Sequence, residues 1–264
     1  MKGPAGATVE DVRTYWDRQP CNIRHGRAPV GTREYFDQVE QRKYFVEPHI
    51  PIFADFPRWK GKKVLEIGCG IGTDSINFAR GGADLAVVDL SGETLAICRK
   101  RFDVFGLPAR FYQANAEELS SVVPVERYDL VYAFGVIHHT PNPRRAIEEI
   151  MKYMGPGSEL RLMLYAKYSW KHLLIALERM QVEAQADCPI VFSYCGPGVR
   201  RLLEGLEVTS IRKEHIFPWS IPHYIKHEYR KVWYFRWMPR PLFRLCERLA
   251  GWHLLVKARL PAEA

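Results

Sequence analysis

From Lys62 onward, short apolar runs alternate with amphipathic stretches. KKVLEIG (62–68) and DLAVVDL (84–90) are continuous apolar runs bounded by glycine or aspartate, the pattern of strands buried on both faces. ARFYQAN (109–115), YDLVYAF (128–134) and SELRLMLYA (158–166) predict three more strands. Between them, TDSINFARGG (73–82), SGETLAICRKRF (91–102) and NPRRAIEEIMKYMG (142–155) carry helical periodicity. Ser91 is placed to cap the second of these, with basic residues in its last turn; Pro143 stands early in the third and Gly155 at its end. Regular alternation of strand and helix predicts a doubly wound parallel sheet.

The flanks read differently. TREYFDQVEQRKYFV (32–46) predicts a helix with Tyr35, Phe36, Val39 and Tyr44 on its apolar face, and Pro48, Pro51 and Pro57 then break the chain before Trp59. Residues 1–60 are therefore expected to form a helical N-terminal arm. YSWKHLLIALERMQ (168–181) and GPGVRRLLEG (196–205) predict two further helices, and LEVTSIRK (206–213) and HLLVKARL (253–260) two further strands. Two helices are expected between those strands. In the second, Leu242, Leu245, Cys246 and Leu249 share one face and Arg240, Arg244 and Arg248 the other. One domain over 61–264 is expected, with insertions at 167–200 and 214–250 capping it, and no repeats.

Composition narrows the class. With 264 residues, 47% hydrophobic and 26% charged, the chain is neither disordered nor a disulfide scaffold. No secretory signal or membrane-spanning run is evident. Six cysteines without a CxxC pattern read as free thiols in a reducing cytoplasm; Cys188 and Cys195 are the one pair spaced for a soft metal.

The chemistry concentrates in VLEIGCGIGTD (64–74), where Glu66 ends a strand and Gly68, Gly70 and Gly72 follow. This E-x-G-x-G-x-G spacing differs from the G-x-G-x-x-G that seats a pyrophosphate. It allows the backbone to approach an uncharged ligand group, with Glu66 suited to an ammonium or a water. Asp89, ending the second strand, is placed to accept ribose hydroxyls. Asn115-Ala116-Glu117 follows the third strand and could read an adenine edge. FGVIHHTP (134–141) follows the fourth, at the sheet edge where open α/β folds bind ligands.

VLEIGCGIGTD, VVDLS, QANAEEL and YDLVYAFGVIHHTPNP, in this order, resemble a class I S-adenosylmethionine-dependent methyltransferase of the broad small-molecule branch with a VIHHTP-type motif after strand four. The resemblance spans roughly residues 60–165 and departs from many relatives in having Asn115 for Asp. It implies an enzyme with a Rossmann-like, mostly parallel seven-stranded sheet whose last strand is antiparallel. It implies S-adenosylmethionine as cofactor, S-adenosylhomocysteine as product, and no metal. Glu66, Gly68, Cys69, Gly70 and Gly72 would cradle the methionine part, with Cys69 a packing residue. Asp89 and Leu90 would hold the ribose, Asn115, Ala116 and Glu117 would line the adenine, and Phe134, Gly135 and Val136 would lie beside the sulfonium. A general base is needed only for a protonated, weakly acidic acceptor; His138 and His139 are the candidates, with His139 favoured. The signatures of catechol-type metal-dependent, nucleic-acid amine and arginine methyltransferases are missing.

Acceptor choice is left to the flanks. Tyr15, Trp16 and Arg24 in the arm, Tyr194, and His223 and Tyr224 in the late insertion are the candidate contacts. The net charge of +8 is uneven: 211–250 holds nine basic and three acidic side chains and nine aromatics, whereas 61–210 holds seventeen and eighteen charges and is close to neutral. Three readings of 211–250 stand: a lid over a small, anionic or aromatic acceptor; a basic aromatic surface for RNA or a peptide; and a homodimer or membrane-surface contact. The distribution favours a lid over nucleic-acid binding. A non-catalytic cofactor-binding relative is the remaining alternative.

Overall fold

The computed structural model describes residues 6–176 and 188–261. Seven strands form one sheet in the order β3-β2-β1-β4-β5-β7-β6. They are β1 (Lys63–Ile67), β2 (Asp84–Asp89), β3 (Arg110–Gln113), β4 (Tyr128–Phe134), β5 (Met154–Tyr165), β6 (Glu207–Glu214) and β7 (His253–Arg259). β1 pairs in parallel with both β2 and β4, while β7 is antiparallel to both neighbours, β5 and β6. The order reverses between β1 and β4, which opens a crevice at their carboxyl ends.

The helices are α1 (Val9–Arg18), α2 (Arg33–Val46), α3 (His49–Ala54), α4 (Thr73–Arg80), α5 (Gly92–Phe105), α6 (Pro143–Met151), α7 (Trp170–Ala176), α8 (Gly196–Leu202), α9 (Ile221–Ile225), α10 (Trp233–Arg236) and α11 (Arg240–Ala250). On one face of the sheet, Ala146, Ile147 and Ile150 of α6 and Val199 and Leu202 of α8 pack on Leu65, Val88 and Val131. On the other, Ile76 and Phe78 of α4 and Leu95, Cys98 and Phe102 of α5 pack on Val64, Val87 and Leu130. Phe53, Ala54, Phe56 and Trp59 belong to that same layer, so the end of the N-terminal segment is part of the sheet's core. Among the described residues, no helix is long and apolar enough to cross a membrane.

Local chemistry sets the ends. Ser91 accepts from the Thr94 amide as the N-cap of α5. α5 then runs past the expected Phe102 to Phe105 and stops at Gly106, which takes φ +65°. Its basic residues therefore lie a turn before the end, and Arg101 is wholly buried, its guanidinium 3.2 Å from the Phe36 carbonyl. α6 ends at Met151; Gly155 belongs to β5, because Met154 already pairs with Tyr128. The 214–250 segment holds three helices where two were expected, since Pro239 separates α10 from α11. The apolar face of α11 is not buried: Leu242, Leu245 and Leu249 are 48%, 50% and 66% exposed, and the buried residue of that helix is Glu247. Of the helix expected over 168–181, residues 177–181 lie outside the described part.

Candidate active site

The crevice opens into a cavity of about 1210 Å³, walled by the carboxyl ends of β1, β2 and β4, by α1 and the following loop, by α2, and by residues 215–234. The turn after β1 shapes its floor. Gly68, Gly70 and Gly72 take φ of +72°, +54° and +77°, the left-handed region that favours glycine. The Gly68 and Cys69 amides both donate to the Val88 carbonyl, at 2.7 and 3.1 Å, which folds the turn against β2. A Cβ on Gly68 would sit 2.1 Å from Val136 Cγ2, whereas a Cβ on Gly70 would meet nothing within 4 Å. Gly68 is thus fixed by packing, and Gly70 turns its bare backbone to open space.

Asp89 receives the amides of Gly70 and Ser91, one on each carboxylate oxygen, both at 2.9 Å. A carboxylate has about four acceptor sites; the Cys69 thiol, 3.9 Å from Oδ2, takes a third weakly, and one remains. Burial pushes the Asp89 pKa up to about 6, against the pull of those amides. Glu66 is 3% exposed, its Oε2 has no hydrogen-bond partner, and burial followed by the nearby Asp74 charge pushes its carboxyl up to about 8. Cys69 is buried, and its thiol is pushed well above its ordinary value, first by its hydrogen bond with Cys98 and then by burial, so it is no thiolate.

Glu66, Gly68, Cys69, Gly70, Asp89, Leu90, Asn115, Ala116, Phe134, Gly135 and Val136 all line the cavity, as do Tyr15, Trp16, Arg24, Tyr224 and His139. Five expected site residues do not. Gly72 lies behind the turn, where a Cβ would meet Cys98 Sγ at 2.6 Å. Glu117 faces away and accepts from the Asn142 amide at 2.6 Å, tying the β3 and β4 loops together. His138 is fully buried against Tyr165, ring centroids 4.0 Å apart. Tyr194 joins the Tyr165 end of β5 through a backbone hydrogen bond of 2.8 Å. His223 turns to Ser220 Oγ at 3.0 Å. Asn115 lines the wall, but its side-chain oxygen caps the following turn by accepting from the Glu117 amide at 3.0 Å.

His139 is 3% exposed, and its Nδ1 lies 2.7 Å from the Ile190 carbonyl. A carbonyl only accepts, so Nδ1 carries the proton and Nε2 the lone pair. Burial lowers its pKa to about 4. Trp16 stands edge-on to the ring, with centroids 5.6 Å apart.

The arm and the late insertion close the cavity together. Arg42 of α2 is buried, donates to the Tyr224 carbonyl at 2.8 Å and covers the Tyr224 ring at 4.2 Å. Arg27 donates to the Lys226 carbonyl at 2.7 Å, and the Tyr224 hydroxyl lies 3.2 Å from His25 Nε2. Sequence reasoning missed Arg42, Glu47, His215 and His253, which also line the wall. They come from three distant segments; the pairing of β7 with β6 brings His253 next to the His215 end, and α2 supplies Arg42 and Glu47.

A family model described as a methyltransferase domain matches residues 64–157. The ubiquinone biosynthesis O-methyltransferase of Photorhabdus laumondii is 27% identical over 158 residues, which cover 59% of this chain and 65% of that protein. The tRNA U34 carboxymethyltransferase of Hydrogenovibrio crunogenus is 37% identical over 120 residues, covering 44% and 34%. The chain thus spans less than two thirds of the curated relatives it matches. Among solved structures, the magnesium protoporphyrin IX methyltransferase of Synechocystis with bound SAH superposes with a TM-score of 0.62 at 15% identity, covering 95% of this chain and 98% of that one. An S-adenosylmethionine-dependent methyltransferase from Clostridium acetobutylicum gives 0.56 at 12% identity, covering 86% and 99%. Sheet order and glycine turn agree with that match: the chain has the fold of the class I S-adenosylmethionine-dependent methyltransferases, and residues 64–157 carry the matched methyltransferase domain.

Proposed function

We propose that the protein is an S-adenosylmethionine-dependent methyltransferase acting on a small acceptor, with O- or N-methylation as the reaction. The observation that carries this is one continuous cavity in which the glycine turn and Asp89 face the arm and insertion. Its volume exceeds the ~300–1,000 Å³ usual for a single ligand, leaving space for two molecules. The cofactor fits the residues present: open space over Gly70, one unused acceptor site on Asp89 and a second held only by the Cys69 thiol, and the unpartnered buried Glu66 Oε2 that an ammonium would satisfy. Glu66, Gly68, Cys69 and Gly70 would hold its methionine part, Asp89 and Leu90 its ribose, Asn115 and Ala116 its base, and Phe134, Gly135 and Val136 would flank its sulfur. Bound there, S-adenosylmethionine supplies an electrophilic methyl group.

The chain's part is to orient the acceptor and exclude water. Tyr15, Trp16, Arg24, Tyr224 and His139 form the acceptor end in this reading. A neutral imidazole with pKa about 4 is too weak to deprotonate an alcohol, but it can accept a hydrogen bond from a more acidic group. That supports a phenolic acceptor, with Arg24 and Arg42 lining the same cavity. The six free cysteines support a reducing, cytoplasmic setting.

Incubating the protein with methyl-labelled S-adenosylmethionine and source-cell extract, then size-fractionating for mass spectrometry, tests the reading. Label is expected in small molecules; label confined to RNA or protein would overturn it. With the acceptor in hand, His139→Ala is expected to lower turnover about tenfold with cofactor affinity unchanged. Unchanged turnover would remove His139 from the acceptor site.

We also propose that the uncovered face around α10 and α11 joins two copies. Trp233 and Trp237 are 74% and 78% exposed in the same stretch of chain as the open leucines of α11, and exposed apolar side chains that form one patch mark association surfaces. Sedimentation velocity is expected to show a dimer that Leu245→Glu converts to a monomer. A monomeric parent protein would sink this.

A further inference from the structure

A second cluster in the cavity wall is unused by the reading above. Glu47 is the C-cap of α2, and His49 opens α3 two residues later. His253 opens β7, where pairing to Tyr165 on one side and Glu214 on the other fixes it. His49 Nε2 lies 2.9 Å from His253 Nδ1, and His253 Nε2 lies 3.6 Å from Glu47 Oε1. One ligand atom from each of the three falls within 4.8 Å of the others. His215 stacks alongside, its ring centroid 4.6 Å from that of His253 and 5.3 Å from that of His49. It does so with φ +70°, a left-handed conformation costly for a residue with a Cβ and common at functional sites. Glu47, His215 and His253 face the cavity.

We propose that Glu47, His49 and His253, with His215 as a fourth donor, bind a first-row divalent transition-metal ion at the wall of this cavity. Two or three imidazoles with one carboxylate suit zinc, iron, cobalt or nickel; magnesium and calcium prefer oxygen donors. Three protein donors beside an open cavity are the arrangement of a reactive metal site, with a position left for an exogenous ligand. One of the two facing nitrogens of His49 and His253 carries the proton of their hydrogen bond, and an ion bound there would displace it. The nearby Lys43 ammonium is already paired with Asp74 at 2.7 Å. Donors ~2.0–2.1 Å from one ion stand about 3.3 Å apart at tetrahedral angles, so the widest separation must close by up to about 1.5 Å, with His253 giving the ion one of its two ring nitrogens. Glu47 stands at a helix end with its side chain 19% exposed.

The test is titration of chelator-treated, cofactor-free protein with Co²⁺ and Zn²⁺, reading the visible absorption of bound cobalt. One ion per chain is expected at micromolar protein, displaced by Zn²⁺ and not by Mg²⁺. Outer partners of metal ligands are worth 10- to 100-fold in affinity, so His253→Ala and His49→Ala are expected to weaken binding by at least about 100-fold. Because these buried variants can also unfold, Glu47→Gln is measured beside them; with an unchanged melting temperature it is expected to bind at least about tenfold more weakly. Absence of binding to the parent protein, or affinity unaltered in Glu47→Gln and in either folded histidine variant, would overturn the site. No cofactor is present in the titration, so its outcome is independent of the methyl-transfer reading.

Discussion

Replacing Asp89 by asparagine is expected to weaken S-adenosylmethionine binding about 50-fold while leaving the protein folded. Asparagine keeps one acceptor oxygen for the Gly70 or Ser91 amide and loses the charge. Hydrogen bonds to a charged group contribute about 1.5–3 kcal/mol each, roughly twice the neutral kind, so two ribose hydroxyls lose about 2.5 kcal/mol together. Equilibrium dialysis with labelled cofactor reads this directly; a loss under about threefold would remove Asp89 from the ribose site. The pH dependence has a definite sign. The Asp89 carboxyl is raised to about 6 by burial, so the acceptor form is depleted as pH falls through 6, and affinity falls with it. The asparagine variant should be flat over that range. Stability runs the other way. A carboxyl raised from 3.8 to about 6 favours the fold below its unfolded value, and that contribution, roughly 3 kcal/mol, is lost as pH rises through 6. At neutral pH the ligand-free protein therefore holds a strained carboxylate, and the variant's melting temperature should not fall. Binding and stability thus pull in opposite directions at this one residue.

Much of the sheet was legible because parallel strands buried on both faces must be apolar throughout. VLEI, LAVV and LVYA could be little else, and β1, β2 and β4 follow them closely. Ser91 was legible for an equally local reason, since its hydroxyl meets the Thr94 amide three residues on. Where a feature depended on a distant partner, sequence was silent. Gly155 looks like a helix stop but pairs into β5, because the register with Tyr128 decides it. Gly72 and Glu117 sit in the right motifs but behind the wall, since spacing does not show where the cavity ends. The α11 pattern gives an apolar face without saying whether anything covers it. Glu47, His49, His215 and His253 share no motif; they lie across some two hundred positions, and the pairing of β7 with β6 brings His253 next to the His215 end.

The same long-range assembly makes Arg161 the position where a single change is expected to cost most in stability. It lies in β5 between Tyr132 and Lys257 and is wholly buried. Its Nη1 donates to the carbonyls of Phe53 and Ala54 at 2.5 and 3.0 Å, while Nε and Nη2 reach Glu159 Oε2 at 3.0 and 2.9 Å. Phe53 and Ala54 end α3, and carbonyls at a helix end have no partner inside the helix. Arg161 supplies one, and so fastens the N-terminal segment to the middle of the sheet. Leucine there would fill much of the space and leave the Phe53 carbonyl without this donor, while the Ala54 carbonyl keeps the Trp59 indole N–H at 3.0 Å and Glu159 keeps Arg58. Losing the buried guanidinium's hydrogen bonds and leaving one carbonyl without its donor costs about 2–4 kcal/mol. At ~2–4 °C per kcal/mol for a chain of this size, the melting temperature of Arg161→Leu should drop by roughly 10 °C. Lysine keeps the charge but lacks the fork that serves two carbonyls and a carboxylate at once, so Arg161→Lys should fall between. Limited proteolysis near residues 49–60 should quicken in the same order, because α3 and the following turn lose their tether. A drop under about 2 °C in Arg161→Leu would show that apolar contacts of Phe53, Phe56 and Trp59 hold the segment by themselves. The cavity wall depends on that segment, because His49 and Glu47 lie at its start, so losing the tether should loosen the site before the sheet unfolds.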